Sequence, residues 1–332
     1  MAMSIEEVIG QSQHRGVIAW IASRQTFWIF VAAAIACILL SLVTDSFATE
    51  RNLFNVTRNF AFVGIIALGM TAVIGSGGID LSVGSSVVLS GIVVGATMAA
   101  GYPIYVAVPL AIFAALFVGL VNGVLIAYAG MQPFVVTLGT LAIARSLAMV
   151  LSDNKMIYQF GPDHHLLLEL GGGSLLGVAN PVFVLVALAL ATGFAFRWSR
   201  WGRHLFAVGG NEEAARMTGV RVDRVKVSVY LFSAFTAGVT GVLEVGWLGG
   251  VTTNLGQSME LSVIAAAVIG GANLAGGSGT AFGAVVGAAL LEVIRNSLIL
   301  LGISTFWQGT FVGSFILIAV AIQRLRDIRQ RE

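Results

Sequence analysis

The chain has 332 residues, with 18 Lys and Arg against 16 Asp and Glu for a net charge of +2; 57% of it is apolar and only 10% charged. An average soluble domain is roughly 45–50% apolar and about 25% charged, so an ordinary water-soluble fold is excluded. A single cysteine, Cys37, excludes an intrachain disulfide framework or a cysteine-based metal cluster, and basic residues confined to loops and termini give no support to nucleic-acid binding.

No Asp, Glu, Lys or Arg occurs in residues 81–144, 170–196 or 296–323. A membrane span needs roughly 20 apolar residues. The first of these runs therefore holds three spans, divided at Gly101-Tyr102-Pro103 and at Gly130-Met131-Gln132-Pro133. In chain order the pattern predicts ten spans, with cores at Phe27–Leu42, Phe60–Ile74, Val83–Ala100, Ile104–Ala127, Phe134–Leu151, Val182–Phe196, Val227–Leu243, Leu261–Leu274, Phe282–Leu301 and Phe306–Ile322. Phe27–Leu42 follows a polar start at residues 1–26, lacks a small-x-small cleavage site before Asp45 and is succeeded by further spans; it is expected to be a retained helix rather than a secretory signal. The second and eighth spans are short and run into glycine-rich breaks, which predicts broken or re-entrant helices. The expected fold is an all-α polytopic membrane protein of about ten transmembrane helices, with one membrane domain at 27–323 and a tail at 324–332.

Orientation follows from the basic residues. Residues 197–226 carry Arg197, Arg200, Arg203, Arg216, Arg221, Arg224 and Lys226, and the tail carries Arg324, Arg326, Arg329 and Arg331. Both segments are expected on the cytoplasmic side. Ten spans then place both termini there and the 152–180 loop outside.

Two glycine-rich patches resemble each other: Ala72-Val73-Ile74-Gly75 leading to Gly77-Gly78-Ile79-Asp80-Leu81, and Ala267-Val268-Ile269-Gly270 leading to Gly271-Ala272-Asn273-Leu274. An internal duplication of parallel sense and chance similarity among Gly/Ala/Val-rich helices account for them equally. Asp80 is a carboxylate in an otherwise apolar turn, where insertion costs about 2.5–3.5 kcal/mol. It needs partners. Backbone N–H groups freed by the break, or the hydroxyls of Ser82 and Ser85, would fix the turn; a role as acceptor for a substrate hydroxyl is the alternative. Other polar groups at membrane depth are Arg58, Asn122, Gln132, Arg145, Glu244, Glu260, Asn273, Glu292 and Arg295.

The 197–226 loop contains its own helix signals. Asn211 is an expected N-cap, Glu212 and Glu213 complement the positive helix start, and Gly219 supplies a left-handed stop. A short helix held between two spans is a mechanical handle for a partner docking at the membrane surface; a solvated amphipathic connector is the plainer account.

Glu213-Ala214-Ala215, with Gly219 four residues after the second alanine, is similar to the EAA motif of ABC importer permeases. Gly77-Gly78-Ile79-Asp80-Leu81-Ser82-Val83-Gly84-Ser85, Gly209-Gly210-Asn211-Glu212-Glu213-Ala214-Ala215 and Gly270-Gly271-Ala272-Asn273-Leu274-Ala275-Gly276-Gly277 resemble, in this order, the ribose-type branch of ABC sugar permeases. The resemblance covers about residues 50 to 325. It implies a type II importer fold in the bacterial inner membrane, and a pathway formed with a second permease copy, most simply a homodimer. It implies a cytoplasmic cassette ATPase that binds ATP and Mg, a periplasmic sugar-binding protein, and a monosaccharide substrate such as a pentose, hexose or related polyol. Asn211, Glu212, Glu213, Ala214, Ala215 and Gly219 would couple to the ATPase, while Gly77, Gly78, Ser82, Gly84, Gly276 and Gly277 would shape the turns. This chain has no Gly-x-x-x-x-Gly-Lys-Ser/Thr phosphate loop, so no cofactor is expected on it and it is not expected to be an enzyme.

Neutral sugars are held by polar groups that match hydroxyls and by aromatic faces. Asp80, Asn273, Phe60, Phe62, Phe134 and Trp247 are therefore the candidates for the substrate path, although the aromatics serve equally as packing or lipid-facing side chains. Two other classes fit less well. An ion-coupled secondary transporter would share the broken helices and buried carboxylate, but would not need an EAA-like helix. An intramembrane enzyme lacks a motif: there is no His-Glu-x-x-His or Gly-x-Ser-x-Gly, and His164 and His165 fall in the outer loop as a solvated turn.

Overall fold

A computed structural model describes residues 25–307 and, beyond them, residues 309–311, 313, 314, 317 and 321. Residues 1–24 of the expected N-terminal segment, about half of the tenth span and the 324–332 tail lie outside the described residues.

The first helix, α1 (Gln25–Val43), is apolar from Phe27 onward apart from Ser41. Helix α2 (Glu50–Gly75) starts at Thr49, whose Oγ1 accepts the Asn52 N–H. The second span is thus longer than its apolar core at Phe60–Ile74 predicts. Its polar first half is helical because partners await it: Asn52 exchanges amide hydrogen bonds of 3.1 and 2.8 Å with Asn296, and Asn59 donates to Glu292. After a break at 76–82 come α3 (Val83–Ala99), α4 (Ile104–Ala127) and α5 (Pro133–Leu151). The expected polar outer loop holds a further helix, α6 (His164–Gly172), and a small hairpin pairing β1 (Ser174–Leu175) with β2 (Val178–Ala179).

Helix α7 (Asn180–Trp198) turns at Ser199 into α8 (Arg200–Gly210), and α9 (Glu212–Met217) leads to α10 (Val222–Leu248). The eighth predicted span is short as expected: α11 (Met259–Ile269) stops where Gly270 and Gly271, the latter at φ +97°, release the chain. Helix α12 (Ala281–Leu300) follows. Six of these helices, α2, α4, α5, α7, α10 and α12, are long and apolar enough to cross a membrane, and α3, α11 and the apolar part of α1 are shorter.

Helices α2 and α10 form the centre, and their most apolar stretches are 83% and 78% buried, against 22% for α7 at the rim. Apolar burial supplies no net drive between helices in lipid, so close packing of small residues takes its place. The α4–α10 contact illustrates it. A Cβ added to Gly119 would stand 2.5 Å from the Ala234 Cβ, one added to Gly123 2.8 Å from the Val227 Cα, and one added to Gly238 2.9 Å from the Ala115 Cβ.

Candidate functional site

The break between α2 and α3 turns at Gly77, whose φ of +82° favours glycine. It returns Gly78 against the α2 carbonyl of Val73 and delivers Asp80 to the interior, 1% exposed. Asp80 Oδ1 accepts the Ser82 N–H at 2.9 Å and the Ser82 hydroxyl at 2.6 Å, while Oδ2 accepts the Ser233 hydroxyl of α10 at 2.8 Å. The network continues outward. Asn122 of α4 donates to Ser82 Oγ at 2.9 Å, Thr140 of α5 donates to Asn122 Oδ1 at 2.7 Å, and the Tyr230 hydroxyl donates to the Ile79 carbonyl at 3.2 Å. One carboxylate thereby ties the break to α10 and, through Ser82, to α4 and α5. Ser85, the other expected partner, is not one: its hydroxyl and that of Ser86 are buried without a hydrogen bond among the described residues.

On the 197–226 side, Asn211 Oδ1 accepts the Ala214 N–H at 2.9 Å and caps α9. The far end closes with Gly219 at φ +85°, its N–H on Arg216 O and the Val220 N–H on Ala215 O, a Schellman stop. Ala215 packs inward, whereas Glu213, Ala214 and Met217 are exposed. Glu212 receives Lys226 at 2.7 Å and Arg216 at 3.4 Å, and Arg216 also reaches Asp223 at 3.3 Å. The Lys226 hydrogen bond holds the Glu212 carboxyl below the ordinary glutamate range in spite of partial burial, which acts in the opposite direction.

Glycines join this hairpin to both breaks. The Gly277 N–H donates to the Gly75 carbonyl at 3.0 Å, and Gly209, two residues before the α9 cap Asn211, lies directly on the Gly75 carbonyl and the Gly277 N–H. Gly276 and Gly277, at φ +91° and +81°, meet the Gly209 and Gly210 backbone. A side chain at Gly209 would collide with Gly75. The two similar glycine-rich patches are thus on the same side of the molecule and touch a common third segment. Gly84 is needed for a separate close approach, to the Gly256 carbonyl and the Glu260 carboxylate.

The six path candidates do not converge within this chain. Phe62 is buried in the core and stacks obliquely on Trp247 at 5.6 Å, and Arg58 lies over Trp247 at 4.3 Å, at the end of α2 and α10 remote from Asp80. Phe60 is partly buried against the same core. Phe134 opens α5 with half its surface bare. Asn273 shapes the α11–α12 turn, its Oδ1 accepting the Ala275 N–H. Glu244 is buried within α10. Sequence reasoning named Asn122 without pairing it and missed Ser233 and Thr140, because hydroxyls are common in membrane helices and usually satisfy themselves on their own backbone. Arg145 has a role no pattern announced: it donates to the Thr253 and Leu255 carbonyls at 2.8 and 2.9 Å and so pins the 249–258 loop.

This geometry defines a helical, multi-pass membrane protein with two glycine-broken turns keyed to a surface hairpin. Residues 52–320 match the family described as the permease component of the branched-chain amino acid transport system. Curated relatives span nearly the whole chain. The probable ABC transporter permease protein y4mJ of Sinorhizobium fredii is 38% identical, over 90% of each chain. The ribose import permease protein RbsC of Escherichia coli K12 is 34% identical over 93% of this chain and 96% of its own, and the L-arabinose ABC transporter permease protein AraH of Azospirillum brasilense is 34% identical over 88% and 85%. The chain belongs to this family of ABC transporter permeases, and it is a membrane permease component rather than a catalytic subunit.

Proposed function

We propose that this chain forms, as a pair of copies, the membrane path of an importer for a monosaccharide, driven by a separate cassette ATPase and fed by an external sugar-binding protein. The sugar assignment is carried by the relatives: those named for ribose and arabinose are each about a third identical to it over most of their length. The family description mentions branched-chain amino acids, whereas the individual relatives matched over 96% and 85% of their own length are named for sugars.

In this reading the fold is the ten-span type II arrangement, with both termini and α9 in the cytoplasm. The exposed Glu213, Ala214 and Met217 face of α9 receives the ATPase. ATP and Mg are bound there and not on this chain. Closure of the cassettes displaces α9, and the Gly75, Gly209 and Gly277 contact carries that displacement to the two breaks. The Asp80 network holds the first break to α10 while α2 and α3 reorient as a unit.

The test is co-purification with the products of neighbouring genes, followed by uptake of a monosaccharide panel into proteoliposomes. Uptake that needs ATP, the ATPase and the binding protein supports the assignment. Uptake by this chain alone under an ion gradient sinks it.

A further inference from the structure

Two recesses meet beside the corner between α7, α8 and α10. The first, about 450 Å³, is bounded by His204 and Trp201 of α8 and by Arg221, Arg224 and Ser228 at the start of α10. The second, about 320 Å³, runs along Leu188, Ala191 and Ala195 of α7 and Phe232 of α10. Trp201 and Ser228 line both, joined by a 2.8 Å hydrogen bond from the indole N–H to the hydroxyl, so the recesses adjoin across this pair.

Their chemistries differ in a way that matches one class of ligand. Of the three acids of the hairpin, Glu212 and Asp223 are taken up by Arg216 and Lys226, and Glu213 does not line the recess. Arg221 and Arg224 are exposed and have no acidic partner within 4 Å among the described residues. The first recess is therefore a basic cup without internal compensation. The second is a mainly apolar groove that follows α7 from Ala195 to Leu188, about 10 Å at 1.5 Å per residue. That is about a third of a hydrocarbon core about 30 Å thick, a length that takes part of one acyl chain within a single leaflet. Arg197, Trp198 and Trp201 mark the same end of the groove, the residue types that anchor at a membrane surface. Helix α8 buries Leu205 and Val208 and exposes Arg203 and His204, the pattern of a helix lying at that surface.

We propose that this corner binds one anionic phospholipid of the adjoining leaflet, with its phosphate against Arg221 and Arg224 and one acyl chain in the groove between α7 and α10. The inference rests on the chain's place in a membrane and not on the sugar. A free phosphate shares the headgroup chemistry, but only a lipid uses the groove.

The test is native mass spectrometry of the purified full chain, titrated with dioleoylphosphatidylglycerol or dioleoylphosphatidylcholine. The anionic lipid is expected to bind about tenfold more tightly. Arg221→Gln with Arg224→Gln should reduce it to the level of the zwitterionic lipid, and Ala191→Trp with Ala195→Trp should weaken both by filling the groove. Arg51→Gln with Lys155→Gln removes equal charge at the other end of the molecule and should leave the preference intact. Equal binding of the two lipids, or a preference that survives loss of both arginines, overturns the proposal. Displacement of the anionic lipid by millimolar inorganic phosphate, with the tryptophan pair harmless, makes the occupant a free anion. A tryptophan pair that splits a dimer without touching lipid preference puts a second copy in the groove. If the tryptophan pair does not fold, the arginine pair decides.

Discussion

The α9 hairpin and the Asp80 junction both gather charged and polar side chains, but one is exposed and built from neighbours while the other is sealed between helices and built from distant segments. Glu212 meets Lys226 across 14 residues of chain. Asp80 meets Ser233 across 153, and Ser82 meets Asn122 across 40. Exposed ion pairs contribute about 0.2–1 kcal/mol each. A buried polar group stripped of its partner costs about 1–3 kcal/mol, and more when charged. The junction therefore has much more leverage on the fold, and the hairpin is free to serve as a contact surface because little stability depends on it.

The largest expected effect comes from Asp80→Ala, which strips the Ser233 hydroxyl, the Ser82 hydroxyl and the Ser82 N–H of their common acceptor. We expect a loss of about 3 kcal/mol or more, read as a large drop in thermal unfolding temperature in detergent. Asp80→Asn keeps one acceptor for Ser82 and can donate to Ser233, so it should fall between Ala and the parent. An Ala variant as stable as the parent would remove the junction from the account of the fold.

Ser233→Ala comes next. It leaves one carboxylate oxygen unpartnered but keeps both bonds from Ser82, so about 1–3 kcal/mol is expected. If it equals Asp80→Ala, the network is not graded as described, and Ser233 rather than the break is its centre.

Glu212→Gln should have the smallest effect, under about 1 kcal/mol, because both its ion pairs are exposed. Its pH behaviour has a definite sign. The folded carboxyl lies below the ordinary glutamate value of 4.5, so its contribution is complete above that value and is lost as pH falls through the lower folded one. Amide exchange over residues 211–219 should be steady from neutral pH down to about 5 once corrected for intrinsic rates, then show loss of protection in the acid range. Glu212→Gln should abolish that acid step. Protection that weakens between pH 7 and 5 would assign the step to another group.

The same contrast explains what was legible in the sequence. Asn211 and Gly219 cap a helix through neighbouring residues, so the α9 hairpin could be written down from local chemistry alone. Asp80 announced its need for partners, and Ser82, two residues on, was within reach of the same reasoning. Ser233, Asn122 and Thr140 were not, because no local rule says which hydroxyl or amide of a distant helix will face a given turn. The start of α2 was hidden for a related reason: Asn52 and Asn59 lower its hydropathy, and only α12 supplies the Asn296 and Glu292 that make burial tolerable. Spacing marked Gly209 as part of a motif, but not as the point where the hairpin touches both breaks.

That contact is the centre of the account, and adjacent glycines offer a direct test. A Cβ at Gly209 would collide with the Gly75 carbonyl, whereas one at Gly210 meets nothing within 4 Å among the described residues. The measurement is sugar transported per ATP hydrolysed in proteoliposomes holding the full complex, for Gly209→Ala against Gly210→Ala. The account predicts the parental ratio for Gly210→Ala and about a tenfold fall for Gly209→Ala with folding and ATPase association retained, an effect of about 1.4 kcal/mol. Equal ratios in the two variants would contradict it and leave the hairpin and the breaks mechanically unconnected through these glycines.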